Sequence, residues 1–307
     1  MLIESQHIKE IVPEVNRDRL REYLNHVEGL RHGWENYHAL EERALFIEDT
    51  LRSFGLDVDR QEFHFHKRIY RNIIATHNGN DENSRTLLLG AHYDAAMGSP
   101  GADDNASGVA VILETACILS SYKFENTFQF VAFTLEEPQP HTMHFLIGSN
   151  HFAEEARRLK KDYSGVLILE SVGYADNAEG SQMVPPFINV PVPGTGNFLG
   201  VIADRRSKDM MDVFSDIAGH YVPELPVVAY KVPLSGRIIP ETRFSDHSSF
   251  WNEGYPAIML TDTAMFRNPH YHTHRDKADT LDFDFMTSVA KAVVSFAAQC
   301  GNVMKSR

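Results

Sequence analysis

Apolar residues fall along the chain in short runs, and the spacing within each run separates helix from strand. Leu20, Tyr23, Leu24, Val27 and Leu30 recur at three- and four-residue intervals, as do Ala44, Leu45, Ile47, Leu51 and Phe54. Residues 16–55 therefore predict two amphipathic helices, the second stopped at Gly55. DVDRQEFHF alternates like a half-buried strand, and YRNIIATHNG follows as a second strand ending in an Asn-Gly turn. Beyond it the period switches back and forth. TLLLGAH, TFQFVAFTL, SGVLILES, NFLGVIAD, PVVAYKV and PAIMLTD are short apolar strands. SGVAVILETACILSSY, GSNHFAEEARRL and SKDMMDVFSDIAG lie between them at helical spacing, and MTSVAKAVVSFAAQC closes the chain as an amphipathic helix.

Continuous apolar strands alternating with helices predict an α/β fold, a mostly parallel sheet covered on both faces. No internal repeat and no break in composition marks a linker. Residues 1–307 read as one domain, with the helices of residues 1–55 packing on the α/β core. The Pro-, Gly- and Asn-rich stretch 176–196 reads as a long ordered loop.

Composition narrows the function by exclusion. Of 307 residues, 43% are hydrophobic, enough for a sizeable core. A formal net charge of -13 repels phosphate backbones and argues against nucleic acid as a partner. No stretch approaches the roughly 20 apolar residues of a membrane-spanning helix. The first residues, MLIESQHIKEIVPEVNRDRL, lack the basic and apolar regions of a signal peptide. A cytoplasmic protein is expected, or a secreted one if a leader has been removed. Cys117 and Cys300 read as two buried free thiols.

In an open parallel sheet, ligands bind beyond the carboxyl ends of the strands. Here those ends carry the chemistry. TLLLGA runs into His92-Tyr93-Asp94, FVAFTL into Glu136-Glu137, and GVLIL into Glu170. AIMLTD leads to His270-Tyr271-His272, and PGADDNASG places Asp103 and Asp104 just before a helix. One carboxylate at a strand end is ordinarily a cap or a solvated group. Acids and imidazoles at four ends converge, and unpaired they would repel and be poorly solvated. They match the nitrogen and oxygen ligands of a hydrolytic zinc site.

Six segments in order carry a resemblance: HYD, PGADDNASG, AFTLEEP, LESVGY, SDHSSFWNEGYPAIM and PHYHTHRDKADTLD. From about residue 40 to the C-terminus the chain resembles the zinc exopeptidase family of bacterial leucyl aminopeptidases, glutamate carboxypeptidase and glutaminyl cyclases. The resemblance implies a three-layer α/β/α sandwich with a mixed, mostly parallel central sheet. It also implies two Zn2+ ions per chain, bridged by Asp104. His92 and Glu170 would hold one ion, and Glu137 and His272 the other. Glu136 would be the general base toward a water activated between the ions, and Asp94 would hold the His92 imidazole from behind. Tyr271 matches a tyrosine that some members use to stabilise the oxyanion, and a cis peptide is implied at Asp104-Asn105. The expected activity is a metallopeptidase, most simply an aminopeptidase, acting on a peptide or amino-acyl substrate. A carboxypeptidase, a single-zinc glutaminyl cyclase and a non-catalytic relative are the alternatives. The intact DNASG run argues against the cyclase and the complete ligand set against the last.

Three features depart from the family pattern. Glu170 stands where many relatives have aspartate, Asn105 replaces a frequent second aspartate, and PQPHTMHFLI is inserted at 138–147. His141 and His144 of the insertion read as solvated, with substrate contact as the alternative. His64 and His66 are expected on a solvent-facing strand face, and Asp246 as a helix cap beside His247, which the family sets near the substrate pocket. His270 and His274 are the histidines most easily mistaken for ligands. Arg205, Arg206 and Arg243 read as surface arginines, with gripping a substrate carboxylate as the alternative. Asp276 and Asp279 are expected to order their loop or cap the last helix.

Overall fold

The structure is a computed structural model that describes residues 5–304 except 141, 143, 187 and 189, so His141 lies outside the described residues. Eight strands form one mixed sheet: β1 (Asp57–Phe65), β2 (Arg68–His77), β3 (Thr86–His92), β4 (Thr127–Phe133), β5 (Tyr163–Glu170), β6 (Leu199–Ala203), β7 (Val227–Lys231) and β8 (Ala257–Thr261). Their order across the sheet is β1-β2-β4-β3-β5-β8-β6-β7. The block β4-β3-β5-β8 is parallel throughout, and β1, β2 and β6 bring the antiparallel pairings. His92 sits level with Phe133 at the ends of β3 and β4, and Glu170 level with Thr261 at the ends of β5 and β8.

Eight α-helices flank the sheet: α1 (Gln6–Ile11), α2 (Arg17–Val27), α3 (Tyr37–Ser53), α4 (Gly108–Leu119), α5 (Ile147–Arg158), α6 (Lys208–Tyr221), α7 (His247–Asn252) and α8 (Phe283–Gly301). Alternation along β3 explains the two cores. Leu87, Leu89 and Ala91 point into the larger cluster, with apolar residues of α2, α4, α6 and α8. Leu88 points the other way, into a cluster with Phe152 of α5 and Phe250 of α7. Each buried Leu, Ile or Phe contributes about 1.5–3 kcal/mol. Helix α4 is buried nearly all round, Glu114 included. That acid is matched by Arg19 of α2, whose Nη2 lies 2.6 Å away, and by the Asn16 amide at 2.7 Å. This pair, buried on the Glu114 side and half-buried at Arg19, ties the N-terminal helices to the core.

The helix at residues 6–11 is unannounced by the periodicity, being a single turn and a half ahead of Pro13. Asn78-Gly79 makes no hairpin, because β2 pairs with β4 rather than with β3. His64 is exposed on β1, but His66 sits with Lys67 in the two-residue turn to β2, both at positive φ, so the two histidines share no strand face. Cys117 and Cys300 are free and half-buried rather than fully buried. The loop 176–196 is ordered by a bridge between Asp176 and Gly196 and by the Met183 amide donating to Phe266 O. No helix among the described residues is long and apolar enough to cross a membrane.

Candidate active site

The five expected ligands meet at the carboxyl ends of the parallel block. His92 Nε2 lies 3.1 Å from Asp104 Oδ1 and 3.4 Å from Glu170 Oε2. On the other side of the same carboxylate, His272 Nε2 lies 3.0 Å from Asp104 Oδ2 and 3.4 Å from Glu137 Oε2. Two groups able to hold a metal result, His92-Asp104-Glu170 and Asp104-Glu137-His272, with Asp104 common to both. His270 and His274 join neither group.

Backbone turns at the strand ends aim these side chains. Consecutive residues of a strand point to opposite faces, so Glu136 and Glu137 share a cleft only if the chain leaves β geometry. It does so at Leu135, at φ 53°, and Ser171 after Glu170 and His272 itself are also left-handed, at φ 50° and 57°. Such non-glycine conformations cost about 1–3 kcal/mol each and persist where surroundings over-determine them. Two carboxylates do that here. Asp94 accepts the amides of Glu136 (3.0 Å) and Glu137 (3.1 Å), and Asp276 accepts those of Asp103 (2.9 Å) and Asp104 (3.2 Å). Asp94 was expected to hold His92. Its Oδ1 faces the ring Nδ1 at 3.5 Å, too long for a firm hydrogen bond, so its main contacts are the two amides. Asp276 thus holds the distant 103–104 segment rather than its own loop, and the cap of α8 is Asp282 rather than Asp279. The Asp104-Asn105 peptide is cis. Asn105 donates to Leu169 O and accepts from the Gly108 and Ser171 amides. An aspartate could not donate that first bond.

Sequence patterning missed the underside of the site. Between α2 and α3, Arg31 is fully buried, and its guanidinium donates to Tyr93 O (2.7 Å), Gly29 O (3.1 Å), Pro100 O (2.5 Å) and Gly101 O (2.8 Å). It thus braces the loop that joins His92 to Asp104. Burial lowers its pKa to about 10, against the pull of Asp94, Asp276 and Asp104, and it stays charged at neutral pH. Gly101 has φ 61°, and a Cβ there would lie 2.7 Å from that of Ala95. The neighbouring His32, also buried, contacts Pro138 O after the glutamate pair. Ser245 Oγ, from the segment before α7, donates to Glu170 Oε2 at 2.7 Å.

The electrostatics call for cations. Asp104, Glu136, Glu137 and Glu170 are all buried, against two imidazoles. Burial and the Asp104 charge push Glu137 up to about 7, and burial with Glu170 and Glu137 raises Glu136 well above its ordinary value, His92 opposing. Burial disfavours charge on His272, yet Asp104 and Glu137 raise it to about 11. Both ring nitrogens of His92 and Glu137 Oε1 are buried without a hydrogen-bond partner. Imidazole nitrogens and carboxylate oxygens with unsatisfied valence are what zinc binds, so the residues fit the metal.

Several expectations move. Asp246 makes no cap hydrogen bond to α7; it is buried, and burial lifts it to about 7, against the pull of His92. His247 is buried rather than facing the cleft, its ring edge-on to Trp251 and its Nε2 2.9 Å from Thr242 O. Burial lowers it to about 3 from 6.5. The unfolded chain takes up this proton below about pH 6.5 and the folded one does not until about pH 3, so stability is lost as pH falls across that window. His247→Gln is expected to shallow that loss, read as the difference between urea midpoints at pH 7 and pH 5. His144 is exposed beside Phe63 and Phe65, away from the ligands. Arg206 donates to Trp251 O, and Arg205 is exposed. Tyr271 stacks on His272 with ring centroids 3.9 Å apart.

Comparison with known proteins places the chain in a family. The model of peptidase family M28 matches residues 72–297. Uncharacterized protein YfbL of Escherichia coli is 34% identical over 270 residues, covering 85% of this chain and 80% of that one. A probable leucine aminopeptidase of Arthroderma otae is 28% identical over 242 residues, 74% of this chain and 56% of that protein. Among solved structures, LapA of Legionella pneumophila superposes with a TM-score of 0.79 at 21% identity, covering 98% of this chain and 78% of that one. A glutaminyl cyclase of Macrostomum lignano gives 0.74 at 17%, covering 97% and 94%. The match over most of its length, a span that includes all five expected ligands but not the Arg31 brace, makes this chain a member of peptidase family M28, zinc-dependent metallopeptidases in general, and a hydrolase of peptide bonds.

Proposed function

We propose that the protein is a two-zinc aminopeptidase that removes an apolar residue from the N-terminus of a peptide. The observation that carries two ions rather than one is the sharing of Asp104 between two complete donor groups. His92 and Glu170 would hold one zinc, Glu137 and His272 the other, and Asp104 both. Bound there, zinc supplies the Lewis acidity that polarises a carbonyl and makes water nucleophilic near neutral pH. Glu136, 3.9 Å from His92 Nε2 and bonded to neither group, is free to take a proton from the attacking water and return it to the leaving amine. Burial and then the nearby carboxylates push the Tyr271 phenol far above its ordinary value. It keeps its proton and can donate to the oxygen of the carbonyl under attack.

Polarity and side-chain preference follow from the pocket beside Glu170 and Tyr271. Its walls include Met183, Val190, Phe198, Ile202, Tyr230 and Met259, and its charged residues are Glu170 and Glu241, with no cation among the described residues. Such a pocket receives an apolar side chain and tolerates an ammonium at its mouth, but repels a carboxylate. The relatives described as leucine aminopeptidases support the same reading. Burying such a side chain is worth about 1.5–3 kcal/mol, or roughly 10–100-fold in kcat/KM.

Leucyl p-nitroanilide is expected to be cleaved about 10–100-fold better than the glycyl compound, and aspartyl and N-acetyl-leucyl compounds barely at all. Elemental analysis should give two zinc per chain. Chelation should abolish turnover and lower Tm, and zinc at 100 times its Kd should restore about 2.7 kcal/mol of stability. Full activity at one zinc per chain, or ammonia release from N-terminal glutamine peptides instead of hydrolysis, would overturn the reading.

A further inference from the structure

A second cavity flanks the candidate active site, across Phe244 from the apolar pocket, and its charge is opposite. Its volume is about 380 Å³, and its walls include Phe145, Leu146, Arg237, Arg243, Phe244 and Asn252. No acidic residue lines it among the described residues, in a chain whose formal net charge is -13. Arg243 is fixed, its Nη1 donating to Ser235 O at 2.5 Å and its Nη2 to Asn252 Oδ1 at 2.7 Å. Among the described residues neither arginine forms a salt bridge, and Arg237 is exposed and close enough to Arg243 to oppose its charge. Asp204, the acid whose charge Arg243 feels, already accepts from the Arg206 and Ser207 amides and the Ser207 and Ser235 hydroxyls.

Two of the residues that line the cavity are tied to segments of the candidate site. The Leu146 amide donates to Glu136 O at 2.7 Å. Phe244 directly precedes Ser245, which bonds Glu170. Phe145 and Phe244 meet edge-on at 6.3 Å over the rim. Successive Cα atoms are 3.8 Å apart, and an extended peptide advances about 3.3–3.6 Å per residue. Each residue beyond the bond to be cut thus carries a terminal carboxylate about 3.3–3.6 Å further along the cleft, and Arg237 and Arg243 are the cations of the cavity past Phe244.

We propose that Arg237 and Arg243 form a subsite for the free C-terminal carboxylate of short peptides, making di- to tetrapeptides the preferred substrates. This rests on the aminopeptidase reading, with the N-terminal residue in the acidic-mouthed apolar pocket and the carboxylate in the basic one. Charge-assisted bonds from guanidinium to carboxylate favour the free acid over a neutral amide, and salt screens the preference.

The test compares leucylglycylglycine with its C-terminal amide on the zinc-loaded enzyme at low and high ionic strength. The free acid is expected to have a KM about tenfold lower at low salt, a margin that shrinks as salt rises. In Arg237→Gln, whose exposed side chain leaves the fold intact, and in Arg243→Gln, the ratio should fall toward one. An equal KM for acid and amide in the unaltered enzyme, or a ratio that persists in both variants, overturns the subsite while leaving the aminopeptidase standing. Hydrolysis of neither peptide nor of leucyl p-nitroanilide overturns both readings together.

Discussion

Glu136→Gln is expected to lower kcat by about 10²–10⁴-fold while zinc content, fold and KM for leucyl p-nitroanilide stay close to those of the unaltered protein. The substitution removes a proton acceptor and keeps the shape. Because Glu136 belongs to neither donor group, the loss cannot be charged to the metals. Its amide remains bonded to Asp94, so the turn at Leu135 holds its position. Stopped-flow turnover with elemental analysis on the same sample checks the result. Turnover within tenfold of the unaltered enzyme would take Glu136 out of the proton transfer, and loss of zinc would assign it to the metals instead.

The largest effect on stability is expected at Arg31, far from the substrate. Arg31→Met leaves four carbonyls, those of Gly29, Tyr93, Pro100 and Gly101, without their donor. It also deletes a buried cation that Asp94, Asp276 and Asp104 attract. A buried polar group stripped of its partner costs about 1–3 kcal/mol, and breaking a buried charge network about 3–5 kcal/mol in total. Urea unfolding should therefore show a loss of about 3–5 kcal/mol, with zinc affinity about 10–100-fold weaker as the loop between His92 and Asp104 relaxes. Arg31→Lys should recover only part of it, since three donors on a point-like ammonium cannot span four carbonyls. A variant with unchanged urea midpoint and zinc affinity would show that the brace is dispensable.

The contrast between these two residues explains what could be read from the primary chain. Glu136 was legible because a short apolar strand ends at it, and parallel sheets gather ligands at such ends. The same rule located His92, Glu137 and Glu170, and the six ordered segments supplied Asp104 and His272. Arg31 lies in a stretch, GLRHGW, with no periodicity and no motif, and three of its four partners are backbone carbonyls some 60–70 positions away. Nothing local marks such a contact. Asp246 misled for a related reason. An acid directly before a helix reads as a cap, but the polar cluster behind the site turned this one inward. The helix at 6–11 escaped because one and a half turns cannot establish a period.

Asp94 and Asp276 grip main-chain N–H groups, which every residue but proline possesses. The scaffold around the metal-binding residues is thus blind to which side chain projects from positions 104, 136 and 137, whereas Asp103 is itself a fixture, accepting from the Gly173 amide and Asn268 Nδ2. Donor atoms can be exchanged one at a time on a chassis that stays in register. That makes the cleft a favourable starting point for recruiting other divalent ions, or for retargeting the hydrolytic chemistry by changing side chains alone.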